Sequence, residues 1–265
     1  MLIIGERINT SRKLVNEAVE NHNAAYIAGD AKKQAEAGAN YIDVNAGSRI
    51  GSEMDDIRWL VEIVEGAVET PLSLDSPDPQ VLLAMAKKVK KKPMINSTTA
   101  EKNRFEAMKA IFQEREIEIV ALCMDERGIP TSVDAALENA SFLVKNLTQL
   151  GIPLQRIHLD PMIQPIGVSK DNGVLAMETI RLLHQEFSGV QTICGLSNVS
   201  FGLPNRFLIN RIFMVLCIGA GLKGAIVDPL DQKMMTNILV AVTLVGRDDY
   251  CMKYLKANRA GTLVS

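Results

Sequence analysis

Seven of eight short apolar runs in this chain end on carboxylates, carboxamides or hydroxyls. The run ends are Glu6-Arg7-Ile8-Asn9, Asp43-Val44-Asn45-Ala46-Gly47, Asp75-Ser76, Asn96-Ser97-Thr98, Asp160-Pro161, Gly195-Leu196-Ser197-Asn198 and Asp228-Pro229. A buried carboxylate is expensive unless paired or hydrogen bonded. A purely structural account pairs Glu6 with Arg7 locally and has Asp43 cap a loop. Core packing alone, however, does not require a polar residue at nearly every run end. Asp and Asn side chains together present acceptors and donors in a plane. Such a set suits a heterocycle that alternates amino, N–H and carbonyl groups.

Other chemistries lack their residues. There is no GxGxxG or GxxxxGK[ST] loop, and no Arg/Lys clamp for a phosphorylated sugar. His22, His158 and His184 lie far apart, so no catalytic metal set is expected. His158 stands two residues inside its run and reads as a satisfied interior side chain, not a base. Without a GxSxG elbow or a Cys near a His, covalent acyl chemistry has no support.

The elements that must position these residues alternate regularly. The apolar runs are Leu2–Asn9, Tyr41–Asn45, Leu72–Asp75, Met94–Ser97, Ile117–Met124, Ile157–Asp160, Thr192–Ser197 and Gly224–Asp228. Each is short and nearly continuous, as strands buried on both faces of a parallel sheet should be. Helix signals fill the gaps. Asp78 and Pro79 open one helix. Ser132 opens another, which Gly151-Ile152-Pro153 closes, and Gly38 ends a third. Asp171 to Phe187 carries a broad apolar face. Eight strand–helix units at this length predict an α/β fold, a (β/α)8 TIM barrel forming one domain over residues 1–265. A doubly wound open sheet usually needs fewer strands.

Composition narrows the class further. Hydrophobic residues are 47% and charged residues 23% of the 265, which excludes disorder. The net charge of −2 gives no case for nucleic acid or an anionic membrane. The apolar stretch Ile212 to Leu222 is about half of a bilayer span, and residues 1–6 show no basic leader. Four cysteines outside any CxxC or Cys/His pair fit reduced thiols in a cytoplasmic protein. The run Lys87, Lys88, Lys90, Lys91 and Lys92 reads as a solvated helix end.

Taken in order, Leu2-Ile3-Ile4-Gly5-Glu6-Arg7-Ile8-Asn9, Leu74-Asp75-Ser76, Met94-Ile95-Asn96-Ser97-Thr98, Leu159-Asp160-Pro161, Gly195-Leu196-Ser197-Asn198-Val199-Ser200 and Asn205-Arg206-Phe207-Leu208-Ile209-Asn210-Arg211 form a specific set. The chain resembles the methyltetrahydrofolate:corrinoid-protein methyltransferases from residue 2 to about residue 250. It is also similar to the pterin module of the large cobalamin-dependent methionine synthases. The resemblance implies a pterin-binding TIM barrel, usually a homodimer, active in one-carbon metabolism. It would move a methyl group between the ring nitrogen of methyltetrahydrofolate and the cobalt of a corrinoid. That corrinoid (cobalamin) would be carried by a separate corrinoid protein, because no DxHxxG motif is present.

Carried over by position, Asp75, Asn96 and Asp160 would hold the pyrimidine edge of the pterin. Gly195, Ser197 and Asn198 would lie beside its reacting part. Arg206 would order that loop or contact folate, and Ile226 would pack on the ring. The tertiary amine that leaves must gain a proton or a strong hydrogen bond. Asn198 has no proton to give at neutral pH, so its expected role is transition-state hydrogen bonding, with the proton arriving from solvent or a water chain. The direction of transfer stays open. The loop departs from some relatives at Phe201, where they carry an amide, and Leu203-Pro204 predicts a stiffer, more apolar loop. The alternatives are a dihydropteroate-synthase-like pterin enzyme, which should show a phosphate site, or a non-catalytic folate-binding protein. The apolar Ile238 to Val245 suits either a dimer seam or packing on the barrel.

Overall fold

The computed structural model describes residues 1–114 and 116–264, so positions 115 and 265 of the expected domain lie outside the described residues. Strands β1 (Leu2–Asn9), β2 (Tyr41–Asn45), β3 (Leu72–Asp75), β4 (Met94–Thr99), β5 (Glu118–Leu122), β6 (Ile157–Asp160), β7 (Gln191–Thr192) and β8 (Gly224–Val227) are all parallel. Their spatial order is β7-β6-β5-β4-β3-β2-β1-β8. The ring closes where Gly195 bridges Ile226 and the Ile226 N–H donates to the Cys194 carbonyl at 3.0 Å. The helices are α1 (Lys13–Glu20), α2 (Ala24–Glu36), α3 (Glu53–Ala67), α4 (Pro79–Lys88), α5 (Lys102–Glu114), α6 (Val133–Gln149), α7 (Asn172–Glu186), α8 (Arg206–Gly219), α9 (Gln232–Leu244) and α10 (Met252–Arg259). This is the predicted TIM barrel.

The helix signals act as expected. Asp78 accepts the Gln80 N–H at 2.8 Å and Ser132 accepts the Ala135 N–H at 3.2 Å. Gly38 and Gly151 take positive φ where their helices end. The lysine run meets carboxylates of neighbouring elements: Lys87 with Glu114, Lys88 with Glu62, and Lys92 with Glu118. His158 is buried inside the barrel as expected, with Nε2 2.8 Å from Glu118, but it is only half satisfied, because its Nδ1 is buried without a partner among the described residues.

Two apolar shells set the positions of the polar side chains. Ile4, Tyr41, Met94, Val120 and Ile193 cluster inside the ring, with Leu122 and Ile226 packed against them. Ile42, Val44, Leu72, Leu74, Ile95, Ile119, Ala121, Ile157 and Leu159 belong to the shell between strands and helices. Strand side chains alternate faces with period two. Counting by two from Tyr41 reaches Asp43 and Asn45; from Ser73, Asp75; from Met94, Asn96; from His158, Asp160; from Ile4, Glu6. All of these therefore project inward at the C-terminal ends of the strands.

Two local expectations are corrected. Strand seven is not Thr192–Ser197. Its ladder with β6 ends at Thr192, and residues Leu196–Ser200 form a 3-10 turn. The Ile193 N–H still reaches the Leu159 carbonyl at 2.9 Å, but the next β6 position that faces β7 is Pro161, which has no N–H to donate. Nor do Glu6 and Arg7 pair. Adjacent strand residues face opposite ways, so Arg7 turns outward to Asp30 at 2.9 Å and Asp228 at 2.7 Å. Gln34 donates to the same Asp30 at 2.9 Å and is itself buried. This network ties α2 to the rim of β1 and β8. Asp30→Ala should lower unfolding free energy by about 2–4 kcal/mol, because it strands part of a largely buried guanidinium. Asp55→Ala, which removes only an exposed partner of Arg58, should cost at most ~0.5 kcal/mol. Urea titration of both variants checks this, and equal losses would contradict it.

Candidate active site

The inward carboxyls crowd the mouth of the barrel. Asn45, Asp75 and Asn96 are register neighbours across β2, β3 and β4. Asp43 lies one interior position deeper and is fully buried. Its Oδ1 accepts from Ser73 Oγ at 2.7 Å and from Asn96 Nδ2 at 3.3 Å. Burial, and then the neighbouring Asp75 charge, hold the Asp43 carboxyl far above the usual carboxylate range. Burial raises Asp75 too, but hydrogen bonds from Asn45 and Asp43 favour its charge. The proton of the pair therefore stays on Asp43, which is the deeper of the two. Asp43 caps no loop; it is a neutral prop beneath Asp75 and Asn96.

Asp160 ends β6, two strands on from β4. Its Oδ1 accepts the Met162 N–H at 2.7 Å. Burial pushes this carboxyl up to about 6, against the Met162 and Gly195 amides that favour its charge. Ile226 and Leu122 are partly buried and pack against the apolar plug inside the ring. Gly195 sits opposite Ile226 at the closure, and Ser197 and Asn198 follow in the 3-10 turn. Asn198 is exposed there. Arg206, first residue of α8, donates to the Ser197 carbonyl at 2.7 Å and to Ser200 Oγ at 3.0 Å, which braces this turn. Phe201 projects into solvent, and Leu203 packs near Gly167 of the β6–α7 loop.

Seven of the eight residues singled out in the sequence thus lie toward strand ends or in the loop beyond β7, and the eighth, Arg206, opens α8. Arg104 was not visible in the sequence. From α5 it donates to the Ser97 carbonyl at 2.8 Å and to the Pro77 carbonyl, so it pins the β3 and β4 loops together. A helical arginine carries no strand-end signal, and only the packing places it there. Asp43 was visible but read as a cap, because spacing does not reveal which carboxyl lies deeper.

The arrangement can grip a planar, amide-like ring edge from one side while leaving its other end open to the β7 turn. A buried group with a raised pKa penalises folding as pH rises through that pKa, and the penalty is absent below the ordinary carboxylate range. Asp43→Asn keeps donor and acceptor without the titration. Its melting temperature should match wild type near pH 4 and exceed it by several degrees at pH 8. Scanning fluorimetry across that range tests this, and a pH-independent difference would refute the buried neutral acid.

A family model described as pterin binding enzyme matches residues 5–228. The chain is 36% identical over 265 residues to the methylcorrinoid:tetrahydrofolate methyltransferase of Eubacterium limosum, covering 99% of this chain and 98% of that protein. It is 30% identical to methionine synthase of Mycobacterium tuberculosis over 94% of this chain, a match that spans 23% of that longer protein. Among solved structures, dihydropteroate synthase of Xanthomonas albilineans with 4-aminobenzoic acid superposes with a TM-score of 0.69 at 21% identity, over 92% of this chain and 93% of that one, which shows a shared fold. The chain belongs to the pterin binding enzyme family.

Proposed function

We propose that this protein transfers a methyl group between N5 of tetrahydrofolate and the cobalt of a corrinoid carried by a separate protein. The whole-length similarity to a methyltransferase whose name runs from methylcorrinoid to tetrahydrofolate supports that direction here. The observation that carries the reading is the placement of Asp75, Asn96 and Asp160 on one side of a buried mouth and Asn198 on an open turn at its edge. Asp75 and Asp160 would accept from the amino and N–H groups of the pterin, and Asn96 would both donate and accept. Fixing the ring in this way is itself a large catalytic contribution.

Asn198 would hydrogen-bond N5 as its charge changes, a contact strongest in the transition state. Its loop needs to be firm for that, which is what the Arg206 brace supplies. The cobalt approaches from outside, so the exposed side of the turn, including Phe201, would face the corrinoid protein. A homodimer is part of the same reading. Ile238, Ala241 and Val242 are buried on the barrel, whereas Leu208, Ile212 and Leu216 form an exposed apolar stripe along α8, which favours that helix as the seam. We place the enzyme in the cytoplasm; no helix among the described residues is long and apolar enough to cross a membrane.

The dihydropteroate synthase alternative rests on a fold match at low identity and gains no phosphate loop from the sequence. Anaerobic mixing of the protein with cob(I)alamin and methyltetrahydrofolate, or with methylcobalamin and tetrahydrofolate, tests the proposal through the cobalt absorption. Stoichiometric interconversion of the two cobalt forms is expected. Folate that fails to bind would end the pterin reading. Asn198→Ala should lower the transfer rate about 10²–10³-fold with folate affinity nearly intact. Asp160→Ala should instead weaken folate binding at least 10-fold, measured by calorimetry, and unchanged affinity would overturn its placement.

A further inference from the structure

Among the carboxyls at the mouth, Asp43 is held by Ser73, Asp160 by the Met162 amide and Asp228 by Arg7. The Glu6 carboxyl projects inward from β1 and takes no hydrogen bond from any described residue. It lines a cavity of about 40 Å³ together with Ser197, Asn210 and Asp228. That volume holds one or two waters. The Asn210 Oδ1 is buried without a partner, and Ser197 immediately precedes Asn198. The cavity therefore gathers the carboxyls of Glu6, Asp228 and Asp231, a serine and a buried amide oxygen beside an apolar wall of Leu196, Phe207, Val227 and Met234, around a space of water size behind the β7 turn.

Strand order puts this cavity on the reacting side of a bound pterin. Asp75, Asn96 and Asp160 belong to β3, β4 and β6, and the ring continues through β7, β8 and β1 on the opposite side. A pterin with its pyrimidine edge toward the first group turns its pyrazine ring, with N5, toward Asn198 and Glu6. We propose that Glu6 exchanges the N5 proton during methyl transfer, through water held in this cavity against Ser197 and Asn210, while Asn198 positions N5. This assignment rests on the methyltransferase reading above.

The step balances in either direction. The N5 lone pair of tetrahydrofolate takes the methyl carbon, and the electron pair of the cobalt–carbon bond stays on cobalt, reducing Co(III) to Co(I). N5 then carries both methyl and proton as a cation, and the proton passes through water to the Glu6 carboxylate. In reverse, the Glu6 acid protonates N5, and the nitrogen–carbon bond breaks with its pair on nitrogen as Co(I) takes the methyl group. Burial first, and then the Asp228 charge, push the Glu6 carboxyl up to about 7, with Arg12, Arg206 and Arg7 opposing. Asp43 on β2, which keeps its own proton, feels the Glu6 charge without adding one of its own. A group that titrates near neutrality serves as acid and base with similar ease.

The test is single-turnover transfer between cob(I)alamin and methyltetrahydrofolate, without oxygen, from pH 5 to 9. Wild type should show a rate step near pH 7. Glu6→Gln should lose that step and at least 10² in rate, with folate affinity within about twofold of wild type. Glu6→Asp, which keeps the carboxyl on a shorter arm, should retain a pH step at reduced rate. That pattern would not follow from a merely structural role. A Glu6→Gln protein that keeps both rate and pH profile, or a Glu6→Asp protein without a step, overturns the assignment while leaving the function standing. Absence of transfer by wild type that does bind folate would remove the methyltransferase reading, and the role of Glu6 with it.

Discussion

Carboxyl groups gathered in one poorly solvated mouth cannot all be ionised, and this constraint organises the structure around the site. Closing the strands into a ring brings Glu6, Asp43, Asp75, Asp160 and Asp228 to the same end of the barrel. Each is handled differently. Asp228 is neutralised by Arg7, which Asp30 and Gln34 hold from α2. Asp160 is met by backbone amides. Asp43 keeps a proton so that Asp75 can carry charge. What remains is Glu6, with no hydrogen-bond partner among the described residues and a carboxyl pushed up to about 7 by burial. The distribution of protons follows from depth and partners, not from residue type, since four of the five are aspartates.

The same ring also controls the flexible part of the site. β7 pairs for only two residues before the chain turns. A longer strand would have carried Ser197 and Asn198 in an extended segment, with their side chains on opposite faces. The 3-10 turn instead presents them on a short loop that Arg206 braces through the Ser197 carbonyl and Ser200 Oγ. The brace spends a charged side chain on backbone positioning. That is a sensible use of arginine where several hydrogen bonds must be directed at once. Rigidity at the turn and openness just outside it are compatible because the brace comes from α8, behind the loop.

Most of the fold was legible because its two periods are strong. Five of the eight strands were placed by their apolar runs to within one residue at either end, and the caps at Asp78 and Ser132 make the hydrogen bonds their types predict. The polar residues at strand ends were also legible, since side-chain alternation makes an inward position at a barrel mouth a matter of counting by two. The motifs from Glu6 to Arg211 carried the family. The sequence by itself therefore determined the architecture, the polar residues at the strand ends and the family.

Only tertiary packing decided the electrostatics. Nothing in Glu6-Arg7 says that the two side chains part to opposite faces and that Arg7 finds Asp30, 23 residues away, and Asp228, 221 residues away. Spacing likewise does not show that Asp43 lies beneath Asp75 or that Arg104 reaches in from a helix. These outcomes depend on burial depth and on contacts between distant segments. Proton affinity and hydrogen-bond competition are set by such surroundings, and surroundings exist only once the ring has closed.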